Sequence, residues 1–307
     1  MRRLRSRFPD AAIALVAIVM ASIPSRAWAQ ACCAGGSAVT PGRLEPHEDA
    51  LVGTQVKAAS IIGSYDPGGH YIGSPGGDTE YDLEQDVFGA LRLLRRGQAA
   101  LLVPLVETFR STPQDGSHLG GGIGDINLSA RYDFVLAGES RYVPGIALLA
   151  GVTFPTGTPV ESATQPLAVD STGIGAFQGS GGLALEQTFG PWLVNATGIV
   201  AGRAPRGGET LGVQATLLAA GAYTFTNDAA MALSAAYSFE GDARDASGAD
   251  VPSSSKRVML VTLSGLYPIT DKWRLLGGLY LNPPVSQLGS NQPASAGFFL
   301  TVIRSWS

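Results

Sequence analysis

From residue 49 onward the chain breaks into segments of roughly ten to sixteen residues in which apolar and polar positions alternate with a period near two. The segment 124–134 sorts most cleanly. Ile126, Leu128, Ala130, Tyr132 and Phe134 fall on one face, and Asp125, Asn127, Ser129, Arg131 and Asp133 on the other. A helix would scatter these side chains around its axis, whereas a strand separates them by face. The same sorting recurs in 80–93, 211–225 and 229–240, and less cleanly in 50–64, 98–110, 143–154, 173–188, 192–202, 256–267, 273–282 and 294–306. The pattern predicts about twelve strands, each reaching the ~9–11 residues that a tilted membrane crossing needs. Strands of a soluble sandwich are usually only ~5–6 residues long.

The connections alternate in length. Short turns are expected at 95–97, 138–140, 189–191, 226–228 and 269–271, and longer loops at 66–79, 111–121, 155–172, 203–209, 241–255 and 283–293. Short periplasmic turns and long outer loops mark an outer-membrane barrel, and an even strand count returns both ends to the periplasmic side. The predicted fold is therefore all-β, a transmembrane antiparallel barrel of about 12 strands, with 10 or 14 as alternatives. Tyr132, Phe134, Trp192, Tyr223, Phe225, Tyr267 and Trp273 lie beside the short turns, where an interfacial girdle belongs. Which face of the alternation meets lipid is not readable from the pattern alone.

Composition fits this frame. Charged residues are 15% of the chain, hydrophobic ones 45%, and Gly accounts for 40 of 307, so small inward residues are plentiful. A net charge of -4 supplies no basic surface, which argues against a nucleic-acid partner. Arg2, Arg3, Arg5 and Arg7 precede a short apolar stretch, and Ala27-Trp28-Ala29 forms an A-x-A cleavage site. Residues 1–29 are expected to be a signal peptide for Sec-type export, 30–48 an N-terminal periplasmic tail, and 49–307 the barrel. Expected partners are outer-membrane lipid, a small solute, and the barrel-assembly machinery that reads the C-terminal strand.

Candidate chemistry is sparse. The only cysteines, Cys32 and Cys33, are adjacent, a spacing that strains a mutual disulfide. They can belong to a tail with little bearing on the barrel, to a lipidated N-terminus, or to a soft-metal site completed by His47 or His70. His47, His70 and His118 fall in the tail or in outer loops, and no HExxH or GxSxG run occurs, so no catalytic residue or cofactor is assigned. A lipase-like membrane enzyme is the weakest alternative function. The acidic row Glu80, Asp82, Glu84 and Asp86 shares one strand face, expected to be the lumen. Arg92, Asp125, Asn127, Arg131 and Asp133 join it as candidate pore-lining residues, with Glu107 as a partner across the pore. Such a row either sets solute preference or forms a salt-bridged interior.

The run Gly122-Ile-Gly-Asp-Ile-Asn-Leu-Ser-Ala-Arg-Tyr132, the run Pro144-Gly-Ile-Ala-Leu-Leu-Ala-Gly-Val-Thr-Phe-Pro-Thr-Gly-Thr158, and Gly173-Ile-Gly175 leading to Phe189-Gly-Pro-Trp192 carry a resemblance. They resemble outer-membrane proteins of the phenol-degradation MetA-pathway type, which are distantly similar to fatty-acid and aromatic-hydrocarbon transporters. The resemblance spans mainly 121–192. It implies a barrel, and a channel or transporter that takes up small organic solutes without covalent catalysis. A binding or structural barrel with a metal-holding Cys32-Cys33 pair is the alternative.

Overall fold

The computed structural model describes residues 42–140, 142–206 and 208–307. Its strands are β1 (Ala50–Tyr65), β2 (Tyr71–Gly73), β3 (Thr79–Leu94), β4 (Gly97–Thr112), β5 (Gly116–Ile123), β6 (Ile126–Val135), β7 (Gly145–Phe154) and β8 (Gln178–Phe189). They continue as β9 (Trp192–Arg203), β10 (Gln214–Thr224), β11 (Ala230–Glu240), β12 (Lys256–Thr270), β13 (Trp273–Leu281), β14 (Gly289–Ser290) and β15 (Gln292–Trp306). All pairings between them are antiparallel. The sheet runs from β11 through β8, β4 and β1 to β12, and β11 pairs with β12 in turn, so the wall is a ring with no free edge. β5 and β6 form one interrupted wall strand against β4, while β2 and β14 are short additions, which leaves the expected twelve wall strands.

Closure brings the ends of the chain together. Ala50 pairs with Trp306, and β1 and β15 then stay in register to Tyr65 and Gln292 apart from one bulge at Ile61/Gly63. Further register shifts at Arg92/Leu94, Asp133/Val135 and Pro268/Thr270 lie beside short turns, where an extra residue tightens the strand's twist.

The structure settles which face is which. Val52, Leu91, Leu128, Leu183, Leu217 and Leu279 all project outward and remain exposed, and the other wall strands carry similar residues. A continuous apolar belt of this kind is what lipid covers. Aromatic contacts edge it near the short turns. Tyr223 packs edge-on against both Trp192 and Phe225, with ring centroids 4.9 and 5.0 Å apart. The Arg304 guanidinium lies over Trp273 and Trp306.

The largest departures from the expected boundaries lie between β4 and β6 and at the start of β8. The long loop expected at 111–121 is instead a three-residue turn, and β4 and β5 continue as a hairpin to Gly116, which adopts φ +77°. The Gly120-Gly121-Gly122 run looked like a loop because glycine weakens strand preference. Backbone pairing of Gly120 with Thr108 and Gly122 with Val106 holds it extended all the same. The break between β5 and β6 faces Pro104, which has no N–H to donate and accepts from Gly124 N at 2.8 Å. Finally, β8 starts at Gln178 rather than near 173, so the preceding outer loop covers 155–177.

Inward faces are small or apolar over much of the periplasmic half. Leu193, Ala222, Ala230, Ala232, Leu266, Leu276 and Phe299 form one buried cluster, and Leu44, Leu51, Phe88, Ala90 and Ile303 another. Gly53 pairs directly with Phe88, and a β-carbon on Gly53 would lie 2.4 Å from the Phe88 ring. Gly53→Val is thus expected to displace Phe88 and cost ~1–3 kcal/mol through overpacking. Urea unfolding of refolded protein, followed by tryptophan fluorescence, checks this; an unchanged midpoint would show that Phe88 does not depend on the missing side chain.

Candidate functional site

The acidic row of β3 points into the lumen, since it shares a face with buried Phe88 and Ala90 while Val87 and Leu91 project outward. It is not a stripe of bare charge. Glu80 meets Arg110 at 2.8 Å, and Asp82 accepts from the Thr108 hydroxyl at 3.0 Å. Lys57 bridges Glu84 and the fully buried Asp86, at 2.8 Å each. Each partner comes from β4 or β1, the strands flanking β3.

The other residues singled out in the sequence divide into groups. Asn127 donates to Thr153 at 3.0 Å across β6 and β7, and Arg131 lies 2.7 Å from Asp133 and 3.2 Å from Glu186. Asp125 serves the outer loop instead: its carboxylate accepts from Gly157 N at 2.9 Å and Ile174 N at 2.6 Å. Glu107 pairs with outward-facing Leu83 and is itself exposed on the outer face, so it is no partner across the pore. Cys32 and Cys33 lie outside the described residues.

Residues 42–48, the described part of the segment expected to be a tail, are gripped by the inward faces of four strands. Arg43 forms a bidentate pair with Glu186 of β8, at 2.6 and 2.5 Å. Leu44 N donates to Gln98 of β4, which donates back to Gly42 O. Arg92 of β3 donates to Glu48 O at 2.7 Å and also to Glu45 O. Arg274 of β13 pairs with both buried carboxylates, Glu45 and Glu48. β8 and β13 stand nearly opposite one another in the ring, so a segment touching both lies inside the barrel. It enters at the periplasmic rim, where Asp49 N bonds Trp306 O, and reaches inward until Gly42 lies against Ala100.

The extracellular end is narrowed by the 155–177 loop. Arg110, projecting into the lumen beside Glu80, donates to Leu167 O at 2.6 Å and Ala168 O at 3.3 Å. These two residues have φ of 56° and 50°, left-handed values that disfavour side chains bearing a β-carbon. The next residue, Val169, is fully buried, and a β-carbon on inward-facing Gly120 would meet it at 2.6 Å. Asp170 closes the loop on itself by accepting from Thr164 N at 2.8 Å and from the Thr164 hydroxyl at 3.0 Å.

Between these two constrictions lies a cavity of about 480 Å³. Arg43, Lys57, Arg131, Glu84 and Glu186 give it charged edges, Gln98, Asn127, Ser180 and Asn195 add neutral polar groups, and Phe88, Leu102, Leu276 and Ile303 supply apolar walls. Ser180, which the sequence places in a Gly-Ser-Gly run, is one of these lumen-facing groups. His70 pairs with Asp66 at 3.1 Å and His118 with Asp115 O at 2.9 Å, both within outer loops. Glu45, His47 and Glu48 bring potential metal-ligand atoms within 4.8 Å of one another at the periplasmic mouth, though Arg274 already pairs with both carboxylates.

Sequence reading missed Arg43, Lys57, Glu186 and Arg274. Glu186 had a legible signal, because it continues the inward positions Ser180, Gly182 and Ala184 of β8. The 42–48 segment had none, since nothing in a short polar stretch says that it turns back into a lumen.

No protein-family model matches the chain, and no curated protein does either. Among solved structures the barrel is similar to an outer membrane channel from Pseudomonas putida F1, with 15% identity and a TM-score of 0.71, covering 87% of this chain and 100% of that one. Weaker likenesses include the transport unit of the autotransporter AIDA-I from Escherichia coli, at 8% identity and TM-score 0.47 over 89% and 95% of the two chains. The translocator domain of the autotransporter NalP from Neisseria meningitidis stands at 13% and 0.46, over 84% and 88%. What is shared at such identities is the fold, that of an outer-membrane β-barrel, which is also the fold implied by the 121–192 motifs.

Two outcomes follow from this geometry. Arg274→Met leaves Glu45 and Glu48 buried without their guanidinium and is expected to weaken the hold on the segment by about 3–5 kcal/mol. Trypsin should then cut at Arg43 in refolded protein far faster than in wild type, and equal rates would show that Arg274 is dispensable for the latch. In the outer loop, the Thr164 N–H leads the donors that hold the Asp170 carboxyl below the usual carboxylate range. A depressed folded-state pKa gives stability that is present above the unfolded value and is lost as pH falls through the folded one. Hydrogen exchange at the Thr164 and Gln165 amides should therefore gain an acid-induced component over that interval, which Asp170→Asn abolishes.

Proposed function

We propose that this chain is a bacterial outer-membrane passage for small organic solutes, reached by Sec-type export and working without covalent catalysis. The observation that carries this reading is the mid-lumen cavity. At about 480 Å³ it falls within the ~300–1,000 Å³ typical of small-molecule sites, and its lining combines apolar walls with a few placed polar groups. It sits inside a barrel whose outer surface is an apolar belt, along the one route that joins the two sides of such a wall. The likeness to a barrel described as an outer membrane channel supports the same reading. The C-terminal strand β15, with Trp306 paired to the first residue of β1, is the element the assembly machinery would recognise.

The two constrictions make this a gated or low-flux passage rather than an open pore, with the acidic row acting as a salt-bridged lining. In planar bilayers the refolded protein is expected to give small, infrequent openings. Arg92→Met combined with Arg274→Met frees the 42–48 segment from two of its anchors and should raise conductance several-fold. Silence from both proteins, with folding verified by heat-modifiable gel mobility, would overturn the passage reading.

A further inference from the structure

We propose that the mid-lumen cavity takes an amphiphilic organic anion, a carboxylate on a compact apolar body, whose carboxylate replaces Glu186 as the partner of Arg43 and Arg131. This inference rests on the passage reading and adds the chemistry of the solute.

Glu186 is only 2% exposed, yet it faces the cavity and gathers a set of donors suited to a carboxylate. Both terminal nitrogens of Arg43 reach it in the bidentate fork that favours carboxylates, and Asn195 Nδ2 donates at 2.9 Å. Arg131 adds a second guanidinium at 3.2 Å. Arg43, Arg131 and Asn195 also line the cavity themselves, so a solute carboxylate arriving there meets the donors that now serve Glu186. The chain occupies its own anion site with an internal carboxylate.

The rest of the cavity narrows the class further. Its charged lining comprises three cationic side chains (Arg43, Lys57 and Arg131) and two carboxylates, Glu84 and Glu186, all of them paired. A neutral solute would gain the apolar walls but could not draw the guanidinium groups away from Glu186. Apolar wall surrounds these donors: Leu149 of β7 pairs with Arg131, Ile199 shares β9 with Asn195, and Phe88, Leu102, Leu276 and Ile303 line the cavity from β3, β4, β13 and β15. A ligand whose carboxylate takes the fork therefore lays an apolar body against these side chains. Arg43 is also part of the segment that narrows the periplasmic end, so binding of such a solute loosens one anchor of that constriction.

The test is isothermal titration calorimetry on the full refolded chain in detergent micelles, with cyclohexanecarboxylate and its isosteric amide as probes and empty micelles as the control. Wild type is expected to bind the carboxylate and not the amide. Glu186→Gln removes the internal competitor and should tighten carboxylate binding about ten-fold, the ratio set by one charge-assisted contact of ~1.4 kcal/mol, with no change for the amide. A gain in affinity cannot come from misfolding. Arg131→Gln should abolish binding in both backgrounds. Equal binding of the two probes, or a Glu186→Gln affinity no better than wild type, would overturn the proposal. The calorimetry needs no ionic current, so its failure is distinct from silence in the bilayer.

Discussion

A chain crossing lipid in strands must pair every backbone N–H and C=O with another strand, because hydrocarbon offers no alternative partner. The closing pairing of β1 with β15 is where this constraint is met, and much of the remaining architecture follows from it. It places Ala50 beside Trp306 at the periplasmic rim, so the residues just before β1 emerge at the mouth of the lumen. From there the 42–48 segment has only to turn inward to meet Arg92, Gln98, Glu186 and Arg274. An open sheet would leave those four side chains, spread over β3, β4, β8 and β13, without a common interior to face.

Closure also dictates the electrostatics. Charges turned inward lie between low-dielectric walls, where an unpaired ion costs several kcal/mol. The wall answers with partners on nearby strands: Lys57 beside Glu84 and Asp86, Arg110 beside Glu80, and Arg203 of β9 reaching past β10 to Glu240 of β11 at 2.7 Å. An interior balanced in this way exerts little long-range pull on passing ions. Discrimination then falls to local geometry in the cavity, where a fork of donors is set among apolar walls in a space of molecular size.

The architecture was legible where alternation was clean. β3, β6 and β11 could be read residue by residue, because period-two sorting with charges on one face leaves a helix no consistent surface. β5 was not legible, since the glycines of 120–122 carry no side-chain signal and are held by the ladder with β4. The direction of the alternation was hidden for a different reason: an inside-out membrane barrel and a soluble one share the same binary pattern, and only the exposed belt distinguishes them. The lumen contacts were hidden because they join residues far apart in sequence. Arg274 and Glu45 come together through ring closure, and no local pattern in either segment records the partner.

The two ends of the lumen are built to different depths. At the periplasmic end a buried guanidinium is flanked by two buried carboxylates, and Leu44 packs among Leu51, Phe88 and Ile303. Moving this segment would expose apolar surface and break paired charges at once, so it sits in a steep minimum. At the extracellular end the loop is held by two carbonyl contacts from Arg110, two N–H bonds to Asp125 and the buried Val169 side chain, and it includes two consecutive left-handed residues. Each of those costs roughly 1–2 kcal/mol relative to ordinary backbone. Strain of that size offsets part of what the loop's hydrogen bonds contribute, which is about 1.5–3 kcal/mol for each bond to a charged group such as Arg110 or Asp125. The two constrictions are thus held by different contacts: a buried cluster of paired charges at the inner end, and hydrogen bonds around a single buried valine at the outer one. A solute that reaches the cavity from outside then meets the inner latch at Arg43, the one anchor of the 42–48 segment that lies on the cavity wall as a charged side chain.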